Sequence, residues 1–176
     1  MLDWAGSESR IAGAAVPLPF ACPLELHASY GNNDIKAALG LATFETAGQT
    51  GVGLLHAPER KVYAVLVTFQ KTEREFSPTT MYADYPISRE LLHWESPSDT
   101  AQASVPGQNL ILHNERGYMI LLFARNSKRI DGRPMPFTFL GPGSIVEFQK
   151  ERPIQMIWRL AHPIPALMFE ENRRGG

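Results

Sequence analysis

The chain has 176 residues, with 17 lysines and arginines against 18 aspartates and glutamates, so its formal net charge is −1 at pH 7. A total this close to zero disfavours functions that need a strongly basic protein body. The length predicts one domain with a core large enough to fold without metals or disulfides, and the single cysteine, Cys22, excludes an internal disulfide. The 14 prolines and 14 glycines indicate many turns and short elements.

Residues 1–23 are rich in small residues and proline and lack a clear period, which predicts a leader or linker. Their apolar stretch follows acidic residues and contains Pro17 and Pro19, so it is not typical of a signal peptide. No run reaches the ~18–20 apolar residues of a membrane helix. We therefore expect a cytoplasmic protein with no membrane partner, one domain over residues 24–170 and a C-terminal tail over residues 171–176.

The first elements are predicted from caps and from the spacing of apolar residues. Residues 34–39 are expected to form a helix, capped by Asn32 or Asn33 and ended by Gly40. Residues 61–69 are rich in β-branched and aromatic residues, which predicts a buried strand. A short helix is expected over residues 88–92.

The second half of the chain predicts a series of short strands. They are expected over residues 109–113, 118–125, 137–140, 145–149 and 153–160, with a hairpin turn at residues 114–117. Many strands with one or two small helices indicate an α+β fold. We expect a mostly antiparallel sheet, curled or closed into a β-barrel, with a few short helices.

Charge is unevenly distributed along the chain. Residues 1–104 carry 7 basic and 12 acidic side chains, whereas residues 105–160 carry 8 and 4. The basic second part can form a local footprint for nucleic acid, or it can be dispersed over mixed solvated surfaces. The first alternative predicts that these basic side chains share a face with the recognition residues of the first half.

The chain contains no recognisable catalytic motif. It lacks a phosphate-binding loop, a dinucleotide fingerprint and a cluster of cysteines and histidines, so we expect no catalytic residue, no metal and no cofactor. Glu147 and Lys150 resemble a nuclease carboxylate–lysine pair, but no upstream metal-binding aspartate accompanies them. A metal-dependent nuclease is therefore kept as an alternative.

Residues 75–100 gather aromatic, hydroxyl and carboxylate side chains with little packing periodicity, which is typical of a recognition loop. Tyr82, Tyr85 and Trp94 can stack on a planar base, although such rings can also fill the core beneath a loop. Asp84 can accept hydrogen bonds from the amino group of a cytosine, or it can bind backbone amides in a turn.

Basic and polar side chains elsewhere are candidates for contacts with the phosphate backbone. The candidates are Lys71, Arg74, Arg89, Ser98, Gln108, Arg125, Lys128, Arg129 and Arg133. Four of them lie near Asp131 and Gly132, which predicts a basic loop between strands that enters a groove of DNA or, alternatively, a solvated hairpin tip.

Several motifs resemble a known family in the order in which they occur. They are Phe-Ser-Pro-Thr-Thr-Met-Tyr-Ala-Asp-Tyr-Pro-Ile-Ser at 76–88, Leu-His-Trp-Glu-Ser at 92–96, Ile-Leu-Leu-Phe-Ala-Arg at 120–125, Pro-Phe-Thr-Phe-Leu-Gly at 136–141 and Arg-Pro-Ile-Gln-Met-Ile-Trp-Arg-Leu at 152–160. From residue 27 to 169 the chain resembles the C-terminal domain of bacterial restriction proteins that join a phospholipase-D-like nuclease to a superfamily II helicase.

The resemblance implies a PUA-like or SRA-like module that recognises 5-methylcytosine in double-stranded DNA for modification-dependent, type IV restriction. It implies no cleavage by this chain, with helicase and nuclease parts in the same or a partner chain. The first two motifs then supply the base pocket, which adds Thr79, Thr80 and Ser96 to Tyr82, Asp84, Tyr85 and Trp94. Base flipping and reading of the methyl group in the major groove both remain open, as does a protein-interaction domain that docks a helicase.

Overall fold

The computed structural model describes residues 23–41, 53–70 and 84–173. Its strands are β1 (Ser29–Tyr30), β2 (Leu54–Ala57), β3 (Val62–Gln70), β4 (Tyr85–Pro86), β5 (Leu91–Glu95), β6 (Met119–Ser127), β7 (Arg129–Ile130), β8 (Arg133–Pro134), β9 (Phe137–Gln149) and β10 (Gln155–Leu160). Its helices are α1 (Asn32–Ala38), α2 (Val105–Ile111), α3 (His113–Arg116) and α4 (Ala166–Asn172), with a 3₁₀ turn over Pro58–Arg60. None of these helices is long and apolar enough to cross a membrane.

Eight strands form one sheet in the order β2-β3-β6-β9-β10-β5-β4, and β1 pairs with the start of β9. The β3–β6 pair is parallel, and the other described pairs are antiparallel. Because β6 and β10 both run antiparallel to β9, they point toward the same end of the sheet, although β10 stops opposite Gly143, at the level where β6 begins. We call this the hairpin end, formed by residues 87–90, 127–137 and 160–165, and we call the opposite end, where α2 and α3 precede β6, the helix end.

The sheet separates two apolar cores. Even-numbered residues of β3 enter the first core, whereas the odd-numbered Tyr63, Val65 and Val67 enter the second. Helix α1 covers the first core with Ile35 and Leu39. Its start is stabilised by Asp34, whose Oδ2 accepts a hydrogen bond from the Gly31 backbone N at 2.9 Å.

The second core lies inside the curl of the sheet. Trp94 of β5 and Trp158 of β10 face the odd-numbered side of β3, and Leu110 of α2 belongs to the same cluster. Phe169 of α4 packs against it. Within the described residues β2 and β4 do not pair with each other, so the sheet is curled but does not close into a barrel. The predicted α+β class with a mostly antiparallel, curled sheet is confirmed.

Strand β9 is longer than the sequence pattern indicated. Two separate strands were expected over residues 137–140 and 145–149, but one 13-residue strand spans both. Its pairing skips Leu140 opposite β6 and Val146 opposite β10, so each position is a bulge that bends the strand. Gly141 has φ of 89°, which a residue with a side chain rarely adopts, and it permits the first bend.

Three predicted elements are wrong. Residues 109–113 are not a strand, because the Ser104 side chain accepts a hydrogen bond from Gly107 N at 3.1 Å and starts α2, with Pro106 in its first turn. The expected hairpin turn at 114–117 is accordingly α3 and its end at Gly117. Residues 88–92 are not a helix, because a turn over residues 87–90 leads directly into β5.

The buried His113 connects α3, β6 and β9. Its Nδ1 lies 3.4 Å from the Tyr118 carbonyl oxygen, and its Nε2 accepts a hydrogen bond from Ile145 N at 3.1 Å. The side chain is 3% exposed, and burial lowers its pKa from the usual 6.5, partly opposed by the Tyr118 carbonyl and by Glu115. A proton on Nε2 would remove the acceptor that Ile145 N uses, so the native state favours the neutral ring.

We predict that the free energy of unfolding decreases as the pH falls below about 6.5. The unfolded chain binds a proton at His113 in this range while the folded chain resists it, so the stabilisation is complete above pH 6.5 and is lost as the pH falls. Urea denaturation at about pH 7.5 and about pH 5.5 measures the difference. His113→Gln keeps a donor and an acceptor but cannot titrate in this range, so it should make the dependence of the unfolding free energy on pH shallower. The exposed control Asn114→Gln should leave that dependence unchanged. Equal pH dependence in the two variants would contradict the assignment to His113. Some dependence should persist, because burial also lowers the pKa of His27 and His56.

Candidate nucleic-acid interface

Strands β7 and β8 form a hairpin that, among the described residues, pairs with no strand of the main sheet. Its turn consists of Asp131 and Gly132, whose φ values of 52° and 75° match a two-residue turn with both residues left-handed. Arg129, Ile130 and Arg133 are exposed. Arg129 Nη1 donates to the Gly132 carbonyl at 3.2 Å, and in the described part of the chain neither arginine forms an ion pair. The hairpin therefore presents two uncompensated guanidinium groups beside an exposed apolar side chain.

Arg125 anchors this hairpin. Its Nε donates to Thr68 Oγ1 at 2.9 Å, its Nη1 donates to the Met135 carbonyl at 3.2 Å, and its guanidinium lies 4.3 Å from the centre of the Phe137 ring. Arg125 precedes the hairpin and Met135 follows it, so these contacts hold both of its ends against β3. The structure thus gives Arg125 a positioning role, while Lys128 is exposed at the base of the hairpin.

A second group of side chains lies on the outer face of β4 and β5. The Tyr85 ring stacks on the His93 ring, with centres 4.6 Å apart and planes at 10°. Tyr85 and His93 are partners in the β4–β5 register, so both side chains leave the sheet on the same face. His93 is 9% exposed and supports Tyr85, which is half-buried. A ring held flat in this way is suited to stacking on a planar base.

Polar side chains continue this face toward β10 and β9. Asp84 Oδ1 accepts a hydrogen bond from Glu95 N at 3.1 Å. Gln155 of β10 is the register partner of Glu95 on one side and of Gln149 on the other. Its Nε2 donates a hydrogen bond to Glu95 Oε2 at 3.5 Å, and its Oε1 accepts one from Gln149 Nε2 at 3.1 Å. Carboxylate and amide groups are those that pair with base edges. We call Tyr85, His93, Glu95 and Gln155 together the outer face. Asp84 is 8% exposed, and its carboxylate binds the Glu95 backbone beside this face.

The structure corrects the roles of Trp94 and Ser96. Trp94 stands between His93 and Glu95 on β5, so its side chain points inward and is 1% exposed in the second core. It offers no surface to a base. The Ser96 side chain accepts a hydrogen bond from Ile154 N at 2.8 Å and donates to the Thr100 carbonyl at 3.1 Å, so its hydroxyl fixes the turn after β5.

The predicted backbone-contact residues lie at both ends of the sheet. Arg89 lies at the hairpin end, where its Nε donates to the Ile164 carbonyl at 2.8 Å. Gln108 lies at the helix end and donates to the Gln102 carbonyl at 2.6 Å, and the Ser98 carbonyl accepts from Arg152 Nε at 2.9 Å. The two ends lie ~26 Å apart along β6, because this strand has nine residues.

The basic residues of 105–160 therefore do not form one face. Lys128, Arg129 and Arg133 lie at the hairpin end, whereas Arg116 ends α3 at the helix end and donates to Asn109 Oδ1 at 2.9 Å. A further set of predicted residues lies outside the described ranges. They are Lys71, Arg74, Thr79, Thr80 and Tyr82.

Residues relevant to the nuclease alternative are solvent-exposed. Glu147 lies on β9, and Lys150 follows that strand with φ of 64°. Within the described ranges no group of three or more histidine, cysteine, aspartate or glutamate side chains is placed to hold a metal ion.

Sequence reasoning missed His93, Glu95, Gln149 and Gln155. The available signal was the alternation of apolar and polar residues in β5 and in β10, which places every second side chain on the outer face. The helix predicted over residues 88–92 hides the alternation of β5, which begins at Leu91.

We predict that Trp94→Ala and Tyr85→Ala differ in their effect on stability. Removing the buried indole should lower the free energy of unfolding by about 3–5 kcal/mol, whereas Tyr85→Ala should lower it by roughly 1 kcal/mol. Urea denaturation measures both. Similar small losses for the two variants would show that Trp94 is not part of the core.

The fold can be compared with proteins of known structure. The Arabidopsis thaliana protein SUVH6, solved in complex with SAM, has a TM-score of 0.50 and 11% sequence identity to this chain. The match covers 94% of this chain and 32% of the SUVH6 chain, so this protein spans about a third of that chain. At this identity the likeness concerns the fold, and it agrees with the SRA-like fold that the sequence resemblance implies.

No protein with a curated description matches the chain. A family model described as "Domain of unknown function (DUF3427)" matches residues 24–171. Since this match spans most of the chain, the protein belongs to that family.

Proposed function

We propose that this protein is a DNA-binding module that recognises 5-methylcytosine in double-stranded DNA. The observation that carries the proposal is the exposed hairpin, in which Arg129 and Arg133 have no carboxylate partner in the described part of the chain. Arginines that form no internal ion pair on a projecting hairpin are suited to phosphates, because the guanidinium fork matches their geometry. The SRA-like fold and the sequence resemblance support the same function.

In this proposal the hairpin holds the DNA backbone and the outer face receives the base. Helix α4 contacts both β4, which carries Tyr85, and β6, which leads into the hairpin. Asn126 Nδ2 donates to Glu171 Oε2 at 2.9 Å and so fixes α4 beside the hairpin. One short helix thus contacts the strands that carry the two surfaces, and in this proposal a single duplex contacts both.

We propose that the base leaves the DNA stack and that contacts with the outer face offset the cost of extrusion. Extrusion of a base costs a few kcal/mol, and stacking on an aromatic ring returns about 1–3 kcal/mol. Tyr85 supplies the ring, and Asp84 and Glu95 supply acceptors for the amino group of cytosine. Trp94 has no part in this arrangement, so the second stacking surface has to come from another residue.

The methyl group itself contributes little free energy. Burial of one methyl group is worth about 0.8 kcal/mol, which corresponds to roughly fourfold in affinity. Stronger discrimination requires a pocket shaped to the methyl group. We therefore propose modest selectivity for methylated over plain cytosine, with strong dependence on salt.

The proposed module acts by binding and not by catalysis. Its proposed context is modification-dependent, type IV restriction, in which helicase and nuclease domains of the same or a partner chain act on the DNA that this module selects. The sequence resemblance supports this context.

We predict that the protein binds a duplex with a single 5-methylcytosine more tightly than the same unmodified duplex. The ratio should be about fourfold or higher at ~0.15 M salt, because the methyl group adds burial to an otherwise equal interface. Band shifts with two duplexes that differ only at this position measure it. Tyr85→Ala should weaken binding to the methylated duplex by about tenfold, as expected for one lost stack. Equal affinity of the wild-type protein for both duplexes would refute recognition of the methyl group.

We also predict that the double variant Arg129→Gln/Arg133→Gln weakens binding to methylated and unmodified DNA by the same factor. Two lost phosphate contacts should reduce the slope of log affinity against log salt by about 1.8. Fluorescence anisotropy over a range of salt concentrations measures the slope. Arg173→Gln is the matched control, because Arg173 is paired with Glu170 at 3.0 Å on α4. An unchanged slope in the double variant would remove the hairpin from the interface.

A further inference from the structure

Three basic side chains converge at the hairpin end from different parts of the chain. His27 precedes β1, Arg89 lies in the turn between β4 and β5, and His162 follows β10. His27 N donates to the Phe139 carbonyl at 2.8 Å, which ties its loop to the start of β9. The loops that carry His27 and His162 contact β9 at Phe139 and Gly141, in the half of the strand that follows the hairpin.

Gly141 shows how closely two of these loops approach each other. A Cβ atom at this glycine would lie 3.2 Å from both Leu26 Cδ1 and His162 Cδ2, so the loop before β1 and the loop after β10 meet over the same point of β9. Arg89 is fixed to the second loop by two hydrogen bonds: its Nε donates to the Ile164 carbonyl at 2.8 Å, and its own carbonyl accepts from Ile164 N at 2.7 Å.

The polar atoms of this cluster are incompletely satisfied. Nε2 of His27 is buried and has no hydrogen-bond partner. In the described part of the chain no acidic side chain pairs with Arg89, and its Nη1 and Nη2 have no hydrogen-bond acceptor. Arg89 is exposed, so its guanidinium is open to a ligand from solvent. The buried Nε2 of His27 is unfavourable without a partner, and a ligand beside it would complete the site.

The charges around His27 indicate which kind of ligand this is. Burial lowers the pKa of His27, the neighbouring His162 and Arg89 lower it further, and the Pro163 backbone carbonyl acts in the opposite direction. Both side-chain groups that act on the His27 ring are basic. An anion placed among them would favour the protonated ring and would accept hydrogen bonds from three directions, as a tetrahedral oxyanion does.

We propose that His27, Arg89 and His162 form a binding site for a phosphate group. Arg89 supplies the N–H donors of its two NH₂ groups, and each imidazole supplies one donor. The identification of this phosphate with a backbone phosphate of bound DNA rests on the proposed function, and the hairpin at the same end of the sheet supports it. Binding tightens as the pH falls, because His27 gains a proton and with it a positive charge.

The test is an NMR titration of the histidine ring protons with inorganic sulfate, which keeps its charge between about pH 6 and about pH 8, and then with inorganic phosphate. Total ionic strength is held constant with chloride. The expected result is a saturable shift of the His27 and His162 signals, with affinity about tenfold higher at the lower pH. His56, which is exposed and stacked on Tyr63 with ring centres 4.2 Å apart, is the internal control and should not shift.

Arg89→Gln and His162→Gln should each weaken sulfate binding by about tenfold, as expected for one lost charge-assisted hydrogen bond. Arg173→Gln should not weaken it. Arg89→Lys keeps the charge without the fork, and it serves as the second variant if Arg89→Gln reduces the melting temperature. The proposal would be overturned if the His27 and His162 signals moved no more than the His56 signal and if the variants bound DNA with unaltered affinity.

The same variants identify the source of the phosphate. If the variants lose sulfate binding and also bind DNA about tenfold more weakly, the site binds a phosphate of the DNA backbone. Loss of sulfate binding with unchanged DNA affinity supports a site for a free phosphate group and overturns the link to DNA. Sulfate binding by a wild-type protein that binds no DNA supports the phosphate site and refutes the proposed function.

Discussion

The fold depends on the bending of β9. This strand pairs with β1 and β6 along its first half and with β10 along its second half, so it belongs to both sides of the curl. Its bulges at Leu140 and Val146 change its direction, and the left-handed backbone of Gly141 accommodates the first of them. Without these bends β5 and β10 would continue a flat sheet, and the second core, with its two buried tryptophans, would not be enclosed.

The same bend determines what each side chain can do. Once β5 and β10 face inward with Trp94 and Trp158, strict alternation places His93 and Glu95 on the outer face. The bend also brings the loops before β1 and after β10 together over Gly141, where His27 and His162 converge with Arg89. The surface proposed for the base and the site proposed for phosphate are thus consequences of one bent strand.

The sequence predicted the parts of the fold that local patterns determine. The continuous apolar run of β3 and the apolar spacing of α1 are such patterns, and the structure confirms both. The two bulges of β9 depend on pairing with two different strands, so two short strands were predicted in place of one. For the interface, Asp131–Gly132 indicated the hairpin, but the direction of Trp94 required the register of β5 with β10, which no local pattern provides. Of the site proposed for phosphate, only Arg89 was predicted, because His27 and His162 are far from it in the sequence.

The most direct test of the account is the position of the cytosine in bound DNA. A duplex with 2-aminopurine beside a single 5-methylcytosine reports loss of stacking as a rise in fluorescence. We predict a rise when the protein binds the methylated duplex and a clearly smaller one with Tyr85→Ala at saturating protein. Fluorescence that stays at the level of the free duplex, while the protein is fully bound, would contradict a base held on the outer face.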